Sequence, residues 1–87
     1  MLKGTTKSGF RYEISENIGD DYEVLKLIKG VENDGTLIVD LVSKVLGGKQ
    51  ADNLEKFLKK RDGYVSTEKM GKEIIEIFTH QPVLKNS

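Results

Sequence analysis

The longest strongly apolar run of the chain lies near its middle and most constrains the fold. It extends from Leu37 to Leu46 and is followed by Gly47-Gly48. Its large apolar residues recur as adjacent pairs every four positions, which places them on one broad helix face. Gly47 stands where a helix often ends in a left-handed residue, which glycine adopts without steric penalty. We expect a central helix, and the β-branched content leaves a strand from Thr36 to Val42 as the competing interpretation.

The first fifteen residues have the pattern of strands. Phe10, Tyr12 and Ile14 alternate with polar residues, which is the period of a half-buried strand. The segment Lys7-Ser8-Gly9 is typical of a turn. We therefore expect an N-terminal β-hairpin over residues 1–15, whose apolar face packs on helices because two strands alone are marginally stable.

A further helix is expected to begin at Asp20 or Asp21 and to end near Lys29. A carboxylate at that position satisfies free backbone N–H groups and complements the positive helix end. The best core candidates on this helix are Tyr22, Leu25 and Ile28. The polar, glycine-containing segment from Gly30 to Gly35 is typical of a turn.

Two more amphipathic segments follow the central run. One covers about Lys49 to Arg61, with Ala51, Leu54, Phe57 and Leu58 on one face. The other is capped by Ser66 or Thr67, and it carries an apolar stripe of Met70, Ile74, Ile77 and Phe78. Pro82 blocks its continuation, and we expect residues 81–87 to form a flexible tail.

The patterns together predict a mainly α fold: about four short helices packed as a small bundle, with an N-terminal β-hairpin. Its 87 residues allow one small domain, which we place at residues 1–80. Cysteine is absent, histidine occurs once, at His80, and no apolar run approaches the length of a spanning helix. We expect no cofactor, no metal and no enzyme activity, in a soluble intracellular protein.

Two charged clusters have functional and structural interpretations. The acidic Asp20-Asp21 pair with Glu23 suggests metal binding, but acids at a helix start are far more often caps. The basic cluster at Lys56, Lys59, Lys60 and Arg61 suggests phosphate contacts. A solvated helix end is the favoured interpretation, because 14 basic residues balance 14 acidic ones and DNA-binding domains usually carry a basic excess.

The remaining signal is interaction with another protein. Val24, Val39, Ile75 and Val83 fall beside the main apolar stripes. Such residues form a partner groove or an oligomer interface, or they are scattered surface residues that need no explanation. The amphipathic pattern gives four candidate contact residues: Val39, Val42, Ile75 and Phe78.

The order of these signals resembles a known family. The matching pieces are Lys7-Ser8-Gly9-Phe10, the helix start Asp20-Asp21-Tyr22-Glu23, Val45-Leu46-Gly47 followed by Leu54 and Leu58, Asp62-Gly63-Tyr64-Val65, Glu73-Ile74-Ile75-Glu76-Ile77-Phe78, and the final Lys85-Asn86-Ser87. In this order they resemble the small tail assembly chaperones of long-tailed phages and prophages of Gram-positive bacteria. Each piece is weakly specific, and the resemblance lies in their order and spacing along nearly the whole chain.

The resemblance implies a non-enzymatic protein of the cytoplasm of an infected or lysogenic bacterium. Such chaperones bind the long, coiled-coil-prone tape measure protein before tail tube protein polymerises around it, and they are absent from the finished virion. Many weakly bound copies would cover the apolar face of the tape measure helix. The copies could also associate with one another as a homo-oligomer. Two alternatives stay open: a nucleic-acid-binding or regulatory helical domain, and a structural neck or connector component of the virion.

Overall fold

The computed structural model describes the backbone of residues 1–80 and the side chains of residues 1–78. It contains an antiparallel hairpin followed by three α-helices: β1 (Leu2–Thr5), β2 (Arg11–Ile14), α1 (Tyr22–Asn33), α2 (Ile38–Asp62) and α3 (Thr67–His80). Short 3₁₀ turns at Ile18–Asp20 and Gly35–Leu37 precede α1 and α2. The mainly helical class and the hairpin are confirmed. Residues 1–80 contain three helices rather than about four, and the predicted tail lies outside the described residues.

The hairpin matches its sequence pattern closely. Leu2 pairs with Ile14 and Thr5 with Arg11. The turn closes with hydrogen bonds from the Thr6 N–H to the Phe10 carbonyl and from the Gly9 N–H to the Thr6 carbonyl. Gly9 has a φ of 101° there, which glycine alone adopts readily. The predicted apolar face of Phe10, Tyr12 and Ile14 is buried in the core.

Helix α1 begins as predicted but runs past its predicted end. Asp21 Oδ1 accepts a hydrogen bond from the Glu23 N–H at 2.9 Å, so this residue is the cap. The helix passes through Gly30 to Asn33, and the turn begins only at Asp34. A Cβ on Gly30 would lie 2.5 Å from Leu37 Cδ1, so this glycine makes room for Leu37 to pack on the helix.

The core face of α1 differs from the prediction. Tyr22, Leu25 and Ile28 are all exposed, and Leu25 is 56% exposed. Val24, expected beside the main stripe, is instead 2% exposed. Leu27 and Val31 pack with it against the core. The helix has apolar residues on more than one side, and the side spaced i, i+3, i+7 faces α2.

The predicted second and third helices are one bent helix, α2. Gly47 has φ 79° and ψ 162°, so the backbone leaves helical geometry there, and the helix resumes at once. The break lies at the predicted position, Gly47, but no loop separates the two arms of α2, residues 38–46 and 48–62. The strand alternative for 36–42 is wrong, since Ile38–Asp62 is helical. A left-handed Gly63, φ 85°, ends the helix.

Gln50 joins the bend of α2 to the hairpin. Its Oε1 accepts a hydrogen bond from the Glu13 N–H at 2.6 Å, and its Nε2 donates to the Glu13 carbonyl at 2.6 Å. The same Nε2 donates to the Leu46 carbonyl at 2.7 Å, next to the break. One side-chain amide therefore fixes β2 relative to both arms of α2.

The long bent helix is the scaffold on which the other elements pack. Helices α1 and α3 and strand β2 all contact α2. Leu54 and Leu58 of α2 and Ile77 of α3 are completely buried at the centre of one core cluster. Ser66 caps α3, since its Oγ accepts a hydrogen bond from the Lys69 N–H at 3.3 Å. The predicted stripe of α3 is confirmed for Met70, Ile74 and Ile77, which are buried.

Candidate interaction groove

The four candidate contact residues lie at two separate hollows. Val39 and Val42 line a hollow in the bend of α2, and Ile75 and Phe78 line a groove on the α1 side of α3. Val39 and Ile75 are exposed, whereas Val42 is buried and Phe78 is partly buried against the core. The structure therefore does not bring the four together on one patch.

The groove between α1 and α3, called here the α1–α3 groove, is the more apolar of the two hollows. Both helices pack on α2, and the first arm of α2 forms the floor between them. Its volume is about 370 Å³. Glu32 is the charged residue of its lining, and the rest is aliphatic, aromatic or glycine: Ile28, Val31, Ile38, Leu41, Gly71, Ile74, Ile75 and Phe78. Such a lining suits an apolar ligand.

The rim of the α1–α3 groove is unusually apolar for an exposed surface. Ile75 on α3 is 64% exposed, and Ile28 on α1 is also exposed. Leu25, one turn before Ile28, extends the apolar surface of α1, and Tyr22 beyond it lies 5.8 Å from the Lys26 ammonium. Contiguous exposed apolar surface of this kind commonly marks an interaction site.

Sequence reasoning found one side of this groove and missed the other. It identified Ile75 and Phe78 as contact candidates but assigned Leu25 and Ile28 to the core. The missed signal was the surplus of apolar residues on α1, where Val24, Leu27 and Val31 already supply a complete buried face. Helix α1 therefore has one apolar face against the core and a second apolar face that is exposed.

The hollow in the bend of α2 is smaller and more polar. Its volume is about 150 Å³, and Ser43, Glu55 and Thr67 share its lining with Val39 and Val42. Pockets that bury a drug-sized ligand are typically about 300–1,000 Å³. The bend at Gly47 accounts for this hollow, since it separates the two arms that form its walls.

The charged clusters have structural partners. Lys44 Nζ lies 3.6 Å from both Asp21 and Glu23, so the acidic helix start is paired with α2 as well as capping α1. Among the residues with described side chains, no three are placed to hold a metal ion. The side chain of His80 lies outside that set.

Part of the basic cluster is engaged within the molecule. Arg61 lies 3.2 Å from Asp62 Oδ2 and its guanidinium stands 5.9 Å from the Phe57 ring. Lys69 lies 3.1 Å from the same carboxylate. Hydrogen bonds from Arg61 and then Lys69 lower the pKa of Asp62 below its ordinary value. These contacts favour the interpretation of the cluster as a helix end rather than a phosphate-binding surface.

Searches against protein-family models, curated proteins and solved structures found no match. Within residues 1–80, none of the helices has the length and apolar content needed to cross a membrane. The α1–α3 groove is therefore the main structural indication of function among the described residues.

Proposed function

We propose that this protein is a non-enzymatic chaperone that binds an amphipathic helix of another protein in the α1–α3 groove. The observation that carries the proposal is the exposed apolar rim of that groove, with Ile75 on α3 and Ile28 on α1. The exposed Leu25 lies one turn before Ile28 on α1. Grooves between helices commonly receive the apolar face of a third helix, through residues spaced i, i+3 or i+4, and i+7.

The dimensions of the groove suit such a ligand. Along α3 its lining runs from Gly71 to Phe78, which is two helical turns or about 10 Å. A ligand helix would place two or three apolar side chains there. Small interfaces of this kind are typical of transient contacts. Weak, repeated binding is what a chaperone needs if its ligand must later be released.

The sequence resemblance specifies the partner in this proposal. A phage tape measure protein is long, helical and prone to coiled-coil association, so its apolar faces need cover until the tail tube forms. Copies of this chain bound along that helix, in the bacterial cytoplasm, would keep it from aggregating. Tail tube protein would then displace them, and the chaperone would be missing from the finished virion.

The test uses variants matched for exposure. Ile75 and Tyr64 are each 64% exposed, but only Ile75 lines the groove. Tagged protein is co-expressed with a phage tape measure protein, and both the solubility of that partner and its co-purification are measured. We expect Ile75→Asp to abolish co-purification and Tyr64→Asp to retain it. Val39→Asp, in the α2 bend, shows whether the second hollow takes part.

A second variant fills the groove without removing an apolar residue. Gly71 lies inside α3, and a Cβ there would meet nothing within 4 Å. Gly71→Leu should raise the helix propensity, since glycine costs about 1 kcal/mol relative to alanine, and should block the groove. Binding that survives both Gly71→Leu and Ile75→Asp would refute the proposed site. Detection of the protein in purified virions would favour a structural component over a chaperone.

A further inference from the structure

The turn of the hairpin is tied to α3 by two carboxylates. The Thr6 hydroxyl donates a hydrogen bond to Glu73 Oε1 at 3.2 Å, and the Lys7 N–H donates to Glu76 Oε2 at 2.5 Å. The Phe10 N–H donates to Thr6 Oγ1 at 3.2 Å, which leaves the Thr6 hydroxyl hydrogen free to point at Glu73. We call this set, Thr6, Lys7, Glu73 and Glu76, the turn latch. It joins residues 67 and 69 positions apart in the chain.

Glu73 is an acid in an apolar position. It is 5% exposed, on the same helix face as the buried Ile77. Burial raises the pKa of its carboxyl above the ordinary 4.5, and the charge of Glu76 acts in the same direction. Hydrogen bonds from Thr6 and Ser8 and the charge of Arg61 act in the opposite direction. Arg61 is itself paired with Asp62, which also binds Lys69.

The turn latch holds an element that depends on its neighbours. The hairpin has two strands of four residues, and a two-stranded sheet is marginally stable alone. Its C-terminal end is held by Gln50, far from the turn. Near the turn, the Phe10 ring also packs 5.8 Å from the Phe57 ring of α2. The contact between the turn and α3 therefore depends on the carboxylates of Glu73 and Glu76.

We propose that protonation of Glu73 controls how firmly the turn latch holds the hairpin. A proton on Glu73 stabilises the contact between the turn and α3, and loss of that proton weakens the contact. A protonated Glu73 still accepts the Thr6 hydrogen bond through its carbonyl oxygen. Because it is neutral, it no longer repels Glu76, and no buried charge remains without water around it. Ionised Glu73 accepts a stronger hydrogen bond from Thr6, but its burial and the charge of Glu76 outweigh that gain and keep its pKa raised. This inference is independent of the proposed chaperone function.

The direction of the pH effect follows from linkage. A carboxyl whose pKa is raised while the turn is held against α3 binds its proton more tightly in that state than when the turn is open. The added stability is therefore fully present below the ordinary value of 4.5 and is lost as pH rises through the raised pKa. Opening of the turn should increase from mildly acidic to neutral pH, which is opposite to ordinary acid denaturation.

Amide hydrogen exchange by NMR, at several pH values from 5 to 8, tests the inference. The probes are the hydrogen-bonded N–H groups of Thr6, Gly9 and Phe10, with Leu54 and Leu58 as internal references, after correction for intrinsic exchange rates. We expect protection of the three turn amides to fall several-fold with rising pH while the references hold. Glu73→Gln should abolish that pH dependence and keep the turn protected throughout.

Two further variants complete the test. Glu68→Gln, on the same helix, removes an exposed carboxylate that lies 3.4 Å from Lys72, and it should keep the wild-type pH dependence. Thr6→Val removes the hydroxyl and should expose the turn at every pH. Should Glu73→Gln fail to fold, direct NMR titration of the Glu73 carboxyl in the wild type replaces it. A turn protection that is independent of pH, or equally dependent in Glu73→Gln, would overturn the inference.

Discussion

The hairpin and α1 both carry more apolar residues than a surface segment needs, but they use them differently. The hairpin buries Phe10, Tyr12 and Ile14 and leaves polar residues outside. Helix α1 buries Val24 and keeps Leu25 and Ile28 exposed. The hairpin buries its apolar surface in the fold, whereas α1 leaves part of its apolar surface exposed.

The difference arises because the side chains of a strand and those of a helix repeat with different periods. A strand has two faces, so an alternating pattern leaves one possible apolar side. A helix turns by 100° per residue, and the five apolar residues between Tyr22 and Ile28 are compatible with several buried faces. In α1 the buried face is the one that packs against α2, through Val24, Leu27 and Val31.

The largest expected effect in this comparison is on the hairpin. Ile14 is among the largest fully buried side chains. Ile14→Ala should lower the free energy of unfolding by about 4 kcal/mol, through lost burial and a residual cavity. Urea denaturation measures it, with the exposed Val39→Ala as the control, expected to change stability by less than about 0.5 kcal/mol. Equal effects of the two would mean that the hairpin does not pack as described.

The sharpest comparison is within α1, between neighbours in the sequence. Val24→Ala should lower the free energy of unfolding by about 2 kcal/mol, since a buried valine loses two methyl groups of contact. Leu25→Ala removes a larger side chain but should cost less than about 0.5 kcal/mol, because Leu25 is exposed. The same urea titrations measure both. A larger loss for Leu25→Ala would reverse the assignment of the buried face.

The smallest expected effect concerns the start of α1. Asp21 caps the helix through the Glu23 N–H and lies 3.6 Å from Lys44. Asp21→Ala should lower the free energy of unfolding by about 1 kcal/mol. Asp20→Ala, its exposed neighbour in the preceding 3₁₀ turn, is the matched control and should be nearly neutral. Thermal unfolding monitored by circular dichroism distinguishes the two, and equal losses would show that capping is not specific to Asp21.

Features set by local chemistry could be read from the sequence. The hairpin period, the Asp21 cap, the break at Gly47 and the buried stripe of α3 all depend on residues close together in the chain. Features set by packing could not. Gly30 was read as the end of a helix, whereas it is an interior position at which Leu37 needs space. The continuation of α2 beyond Gly47 depends on Gln50, which bonds to a strand 37 residues earlier.

The same reasoning explains how much of the candidate groove was anticipated. Ile75 was identified because it flanks an otherwise complete stripe on α3, and it is exposed. Val42 is buried, and it lines the hollow in the bend of α2 rather than the groove. Val24 was predicted to lie beside the stripe of Tyr22, Leu25 and Ile28, but it is the buried residue of the helix. The sequence shows that a helix has two apolar faces, and only the tertiary arrangement shows which of them stays exposed.

The amide of Gln50 has a consequence for how this protein meets other chains. Unpaired strand edges invite other strands to join the sheet, which is a common route to aggregation. At Glu13 both backbone groups on the outer side of β2 are already bonded, to the two ends of one amide. Gln50 thus acts as a third strand one residue long. A neighbouring strand that approaches β2 at Glu13 finds both backbone groups already bonded, so strand addition at that position is discouraged.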